Sequence, residues 1–492
     1  MDKENTVLYD LKKVPLSSER NEIRRKRLKR FLIFLLCIIC VLIGVFIEKL
    51  TTLVSKDDSS EVSVYRDIEK IMENTWLYGD RYEDLATELE NKALYGMTSF
   101  DFDPYTSYMS TEEMNTFSDS INGDYVGIGV EYSYINGKAL IKRVFYSSPA
   151  EKAGLQAGDA IVKIDGVDVE GLDTQGIREM VLGVEGTDVV LQIERGEDVF
   201  DVTVVRGTVN STIFAYVKDD ILIMELNSFG SSTYEECIKY LDLHKDLKKI
   251  IIDLRANGGG YQGSVRDICG LFIGREEVYL RQKGANGVEM VDVTPKNGPY
   301  YDNFEKIVLL TSGDTASAAE VFTIALKEKC DNVTIVGEKT FGKGVIQTNK
   351  VLRNGGVLKI TSYYWYSPNG VLIDKVGIAP DIEVMMPDIY YQTYFDMEED
   401  ETYAYDSVSD TVEVAQKALN FLGYDTDRND GYFDASTLAA LKRYKADNGL
   451  EDSDLLDQAT FSSIVAQTRR SLAYDVEKDP QFQMALSVLE QQ

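Results

Sequence analysis

At 492 residues, 44% of them hydrophobic and 10% aromatic, the chain is long enough for about two to four domains and too apolar to be mainly disordered. Its formal charge of −30 argues against a nucleic-acid partner, which needs a basic surface. The single histidine, His244, sits among charges in DLHKDLKK; a zinc site of the HExxH kind is excluded, and a Ser-His-Asp triad would have to use that one imidazole.

Residues 1–30 hold ten Lys/Arg against five Asp/Glu, a basic tail on an acidic chain. The uncharged run FLIFLLCIICVLIGVFI, residues 31–47, follows RRKRLKR directly and as a helix would be about 26 Å long. This predicts an uncleaved single-pass transmembrane helix, with 1–30 in the cytoplasm and the chain after Glu48 outside; no small-x-small cleavage site follows the run. Cys37 and Cys40 lie inside it and give no metal spacing. Cys237, Cys269 and Cys330 are odd in number, which argues for buried thiols rather than a disulfide framework.

Residues 61–121 read as a helical segment, with Ile68, Ile71, Leu77, Leu85, Leu89 and Leu94 on helical spacing, suited to a packing arm or to dimerisation. Within it, FDPYTSYMSTEEM supplies an N-cap at Ser110. Over 122–208 the texture changes to short β-runs and turns. Here SSPAEKAGLQAGDAIVKIDGVDV resembles a PDZ domain. The resemblance implies that Tyr125, Val126, Gly127, Ile128 and Gly129 receive a peptide carboxylate, the peptide then adding as a strand to the sheet edge. Leu182 stands where relatives carry a gating arginine, so that gate is not carried over.

From 209 to 392, apolar strands such as ILIMEL, KKIIID, KIVLLTS and VTIVG alternate with helical stretches, which predicts a mixed βαβα α/β core. Residues 393–410 read as an acidic linker. Residues 411–470 read as a small all-α domain, and QKALNFLGYDTDRNDGYFDASTLAALKRYKADNGL resembles a peptidoglycan-binding domain; cell-wall binding and a structural or dimerising role both stay open. Asp425, Asp427 and Asn429 do not make a calcium loop, because Asp430 stands where Gly is needed and Ser436 where Glu is needed. Residues 471–492 read as a C-terminal tail.

The chemistry centres on Thr311–Gln347. A serine needs a base, and with no suitable histidine a neutral lysine is the candidate. Lys343 lies between Gly342 and Gly344 and beside Phe341, Val345 and Ile346, a setting that can desolvate an ammonium. Ser317 follows a strand and opens a helix, where main-chain amides favour a developing oxyanion; taken alone, it reads as a plain N-cap. If GVIQ is extended, Gln347 lies on the side of Lys343 and can orient its amine. Asp314 is a carboxylate beside the serine that would raise the lysine pKa if close.

DLRANGGG, TSGDTASAAEVF, GEKTFGKGVIQ, YSPNG and GIAPDIEV resemble, in order, the carboxyl-terminal processing or tail-specific proteases. That resemblance implies Ser317 as nucleophile, Lys343 as base, Gln347 as its partner, and backbone N–H groups of Gly258, Gly259 and Ala318 as the oxyanion hole. The expected protein is a membrane-anchored serine endopeptidase outside the cytoplasm of a bacterium. It would recognise unfolded or C-terminally exposed substrates through the PDZ domain and use no cofactor or metal. A homodimer is a family-level expectation. The alternative is a non-catalytic scaffold binding peptide tails and cell wall. GGGYQG formally matches a dinucleotide fingerprint, but Glu276 and Glu277 open the next strand rather than end it.

Overall fold

The computed structural model describes residues 24–26, 28–29, 31–32, 36 and 60–491, except 136, 146–147, 197, 211, 393–396 and 399. It corrects the expected fold class in one respect. Among the described residues no helix is long and apolar enough to cross a membrane. Of the expected span 31–47, only Phe31, Leu32 and Leu36 are described, and the rest lies outside the described residues. The described fold is therefore an α/β core with a PDZ-like insert and a C-terminal helical region, and no transmembrane helix is found among the described residues. The acidic linker expected over 393–410 falls in part outside the described residues.

Up to Met97 the described residues are helical over Ser60–Thr75 and from Leu85 onward. Ile68, Ile71 and Leu77 there are exposed.

From Thr98 on, a six-stranded sheet forms the centre. Its strands Ile213–Lys218, Ile221–Leu226, Lys249–Asp253, Lys306–Thr311, Val333–Gly337 and Ile382–Glu383 lie side by side in chain order, the first pair antiparallel and the others parallel. These strands are apolar at nearly every position because both faces are covered. Leu222, Met224, Ile250, Ile252, Leu309 and Ile335 pack with residues of the helices Thr233–Leu243, Gln262–Ile273 and Ala318–Lys329. The alternate residues Ile223, Ile251, Val308, Leu310 and Val336 pack against Phe482, Ala485 and Leu489. These last three belong to the helix Pro480–Glu490, so the stretch read as a tail supplies the second cover of the sheet.

A second, five-stranded antiparallel sheet contains Ser107–Met109, Val357–Tyr366, Val278–Gly284 and Glu289–Val293 in that order, with Val345–Val351 also paired to Val357–Tyr366. The helix Thr111–Asn122 starts at Ser110, whose hydroxyl and Glu113 form a capping box.

The PDZ-like insert is entered and left through one antiparallel pair, Asp124–Gly127 with Gly207–Asn210. Its sheet runs Val130–Ile135, Lys138–Val144, Ala160–Ile164, Asp188–Arg195 and Asp198–Val205, with Val130–Ile135 at an edge. Near the C-terminus, the helices Asp410–Leu422, Ala435–Asp447 and Gln458–Tyr474 enclose their own core around Val412, Leu419, Phe433, Leu441, Tyr444 and Phe461.

Candidate active site

Two turns leave the carboxyl ends of neighbouring parallel strands and meet, at the place where open α/β sheets bind ligands. The first, after Lys249–Asp253, is Arg255–Gly260; the second, after Lys306–Thr311, is Ser312–Ser317. They are stitched together: Thr315 Oγ1 donates to the Leu254 carbonyl at 2.9 Å, Ser312 Oγ to Arg255 O at 2.6 Å, and Ala316 N–H to Asn257 O at 3.0 Å. Asn257, fully buried, donates to Leu226 O at 2.7 Å and accepts from Gly259 N–H at 2.8 Å. Gly259 has φ +115°, and a Cβ there would lie 2.9 Å from Ser317 Cβ, so both conformation and contact require glycine.

Ser317 caps the helix Ala318–Lys329 with φ +57° and ψ −118°, a strained backbone for a residue with a side chain. Such strain persists only where the surroundings over-determine it. Here the Ser317 N–H donates to Glu320 Oε2 at 2.9 Å. The same carboxylate accepts from Lys343 N–H at 2.9 Å through Oε2, and from Gly342 N–H at 2.7 Å and Thr340 Oγ1 at 2.6 Å through Oε1. One fully buried acid thus ties the serine turn to the lysine loop. Burial pushes the Glu320 carboxyl pKa up, against the lowering effect of these donors.

The lysine loop depends on its two glycines. Gly342 has φ +90°, and a Cβ on Gly344 would lie 2.2 Å from the Asp374 nitrogen. Trp365, buried, donates from Nε1 to Lys343 O at 2.8 Å. The Lys343 ammonium stands 4.6 Å from the centroid of the Tyr105 ring. Burial holds Lys343 below the usual lysine range, the positive charge of Lys359 acts in the same direction, and Glu320 opposes both. The carboxylate acting on Lys343 is therefore Glu320 rather than the exposed Asp314. The apolar neighbours expected from sequence hold in part: Val345 is buried, whereas Phe341 is 58% exposed.

Ser317, Lys343, Gln347, Gly258, Gly259 and Ala318 all line one cavity of about 420 Å³. Among the described residues, no hydrogen bond joins Ser317 Oγ, Lys343 Nζ and Gln347 to one another. Gln347 instead donates to Thr361 Oγ1 at 3.4 Å, and Thr361 Oγ1 donates to Asp103 Oδ1 at 3.0 Å. The strand containing Gln347 begins at Val345, so Lys343 lies outside it and the four-residue strand spacing assumed from sequence does not reach it. Of the three amides expected to form the oxyanion hole, Gly259 N–H is engaged by Asn257, whereas those of Gly258 and Ala318 have no acceptor among the described residues.

Sequence reasoning missed Glu320, Tyr105, Asp103, Thr361 and Lys359. Only Glu320 had a local signal, the Ser-x-x-Glu spacing of a capping box. His244 ends the helix Thr233–Leu243 and does not line the cavity.

In the PDZ-like insert, Tyr125 and Val126 pair with Val209 and Thr208 in the stem. Burial pushes the Tyr125 phenol up to about 12, with Arg178 opposing. Ile128 is buried; its carbonyl accepts from Ala150 N–H at 2.7 Å, and the Gly129 carbonyl accepts from Phe145 N–H at 3.0 Å. The edge strand Val130–Ile135 is linked to the helix Thr174–Val181 by Tyr132, whose hydroxyl donates to Thr174 O at 2.9 Å. Leu182 reaches over Gly127, with its Cδ2 3.1 Å from where a Cβ would stand.

Comparison with known proteins matches residues 220–384 to peptidase family S41, 143–195 to a PDZ domain and 408–464 to a peptidoglycan binding domain. The chain is 31% identical over 434 residues to the probable CtpA-like serine protease of Staphylococcus saprophyticus, covering 87% of this chain and 88% of that one. It is 31% identical over 410 residues to the carboxy-terminal processing protease CtpA of Bacillus subtilis, covering 82% of this chain and 86% of that one.

Proposed function

The chain belongs to peptidase family S41 as a carboxy-terminal processing serine protease with a PDZ domain, and from that premise we propose that it cuts by an acyl-enzyme route with a Ser317–Lys343 dyad. Neutral Lys343 takes the Ser317 hydroxyl proton as Oγ attacks the scissile carbonyl carbon. The resulting ammonium returns that proton to the leaving amine, and water then hydrolyses the ester with Lys343 again as base. The developing oxyanion is met by the amides of Ala318 and Gly258; Gly259 would have to leave Asn257 to join them. Gln347 orients the lysine amine from the same cavity.

The observation that carries this reading is the desolvated Lys343 amine in one cavity with a strained serine at a helix start. The substrate's C-terminal tail adds to the edge strand Val130–Ile135, with Gly127–Gly129 receiving its carboxylate. Action outside the cytoplasm is supported by the peptidoglycan binding domain match.

The test is cleavage of an unfolded protein by the full chain, comparing wild type with Ser317→Ala and Lys343→Met. Loss of cleavage in both variants is expected; undiminished cleavage in either removes that residue from the dyad.

A further inference from the structure

The cavity that holds Ser317 and Lys343 contains a second lysine, Lys359. It comes from the strand Val357–Tyr366, where it pairs with Asn349 while Thr361, two residues on, pairs with Gln347. Gln347, Asn349 and Lys359 therefore lie on one face of that strand pair, and all three line the cavity. The Lys359 ammonium stands 4.8 Å from the centroid of the Phe117 ring, which also lines the cavity. Among the described residues it has neither an ion-pair partner nor a hydrogen-bond acceptor. Other lysines of the core differ: Lys283, Lys327 and Lys329 are paired with Glu289, Asp381 and Glu277.

A half-buried, unpaired ammonium is unusual in a chain with 82 acidic side chains against 52 basic ones. Partial burial disfavours its charge, as the lowered Lys359 pKa reflects. A carboxylate would relieve that cost, and Lys343 and Lys359 are the only charged side chains among the described residues lining the cavity. Lys343 serves as a base only when uncharged, which leaves Lys359 as the standing charge of the cleft.

We propose that Lys359 is a specificity-determining residue that pairs with a carboxylate of the bound polypeptide, either its C-terminus or an Asp or Glu side chain beside the cleaved bond. The Phe117 ring holds the lysine stem and the ammonium head reaches the carboxylate, a charge-assisted contact stronger than one between neutral groups. This rests on reading the cavity as the peptide-cleaving site.

Two pairs of fluorescein-labelled, alanine- and valine-rich peptides test it. The first pair differs only in ending in a carboxylate or a carboxamide. The second is amidated throughout and differs in one Glu or Gln. Each is titrated by anisotropy onto the full chain carrying Ser317→Ala, so recognition is read without turnover. The acidic member of at least one pair is expected to bind about tenfold more tightly. Lys359→Met and Lys359→Gln should both abolish that preference, and Lys359→Arg should restore it. Preference in the first pair alone assigns the terminal carboxylate, and in the second alone a side chain. Equal binding within both pairs overturns the proposal. So does a preference that survives Lys359→Met, which for the first pair would belong to the PDZ loop. Cleavage by wild type, scored separately, tests the Ser317–Lys343 chemistry and leaves the Lys359 result standing.

Discussion

Replacing Glu320 by glutamine changes one atom and separates the carboxylate's two roles. Oε1 accepts from Thr340 Oγ1 and Gly342 N–H, and Oε2 from Ser317 N–H and Lys343 N–H. A glutamine keeps one acceptor oxygen, so either orientation of its amide removes the acceptor from two of the four donors. At about 1–3 kcal/mol for each buried donor left unmet, Glu320→Gln should cost about 2–6 kcal/mol, a large part of a typical domain's 5–15 kcal/mol. The loss should appear as faster hydrogen exchange at the amides of Ser317, Gly342 and Lys343, before the PDZ-like insert is affected. The second role is electrostatic. Glu320 raises the Lys343 pKa, so removing its charge lets that pKa fall further. With Lys343 as the proposed base, inactive when protonated, the rising limb of the pH–rate profile should move to lower pH even as maximal activity drops. Exchange rates like those of wild type, with an unmoved limb, would refute both roles assigned to Glu320.

Arg143 of the PDZ-like insert holds Glu225 of the central sheet with two bonds of 2.5 and 2.9 Å and stacks over Phe214. Since both ends of that pair are about a fifth exposed, Arg143→Met should cost about 2–3 kcal/mol by stranding Glu225, read as faster proteolysis around the stem at Gly207–Asn210. Gly344→Ala drives a Cβ into the Asp374 main chain and should abolish peptide cleavage, whereas Gly263→Ala, in the helix Gln262–Ile273 with open space around it and no positive φ, should keep it. In the PDZ-like insert, burial alone would raise the Asp159 pKa, but bonds from Arg195 and the Gln156 N–H lower it overall. Asp159 therefore contributes stability above its unfolded pKa of about 3.9, lost as pH falls through the lower folded value; Asp159→Asn should flatten that acid limb in urea titrations read on the insert.

What the sequence made legible was local. Ser317 and the glycines before it stand at strand ends, and the unbroken apolar runs KIIID and KIVLLT announce strands covered on both faces. The glycines flanking Lys343 signalled a close main-chain approach, which Asp374 turns out to make. The partners of Lys343 were not legible, because they come from distant stretches. Tyr105 belongs to a motif that read only as the approach to a helix, and Lys359 sits on a strand position that reads like any solvent-facing one. The helix Pro480–Glu490 did carry a signal, Asp479 as N-cap with proline at the first turn. That signal is local and does not say what the helix packs against, which is a whole face of the central sheet through Phe482, Ala485 and Leu489.

The charge of the chain makes the local arrangement around Lys343 necessary. A protein carrying −30 surrounds its lysines with a field that favours the ammonium, and Glu320, needed to hold the serine turn, adds to that preference. A lysine base in this setting requires an opposing contribution close by, since distant charges are screened beyond about 10 Å at ordinary ionic strength. Burial supplies the larger part and Lys359 the next. The ammonium proposed for carboxylate recognition is thus also the neighbour that helps keep the proposed base neutral. A carboxylate bound to Lys359 offsets that help, so a substrate that pairs with it should bind more tightly and need a slightly higher pH for full turnover. That opposition between binding and turnover distinguishes Lys359 from a lysine that only fills space.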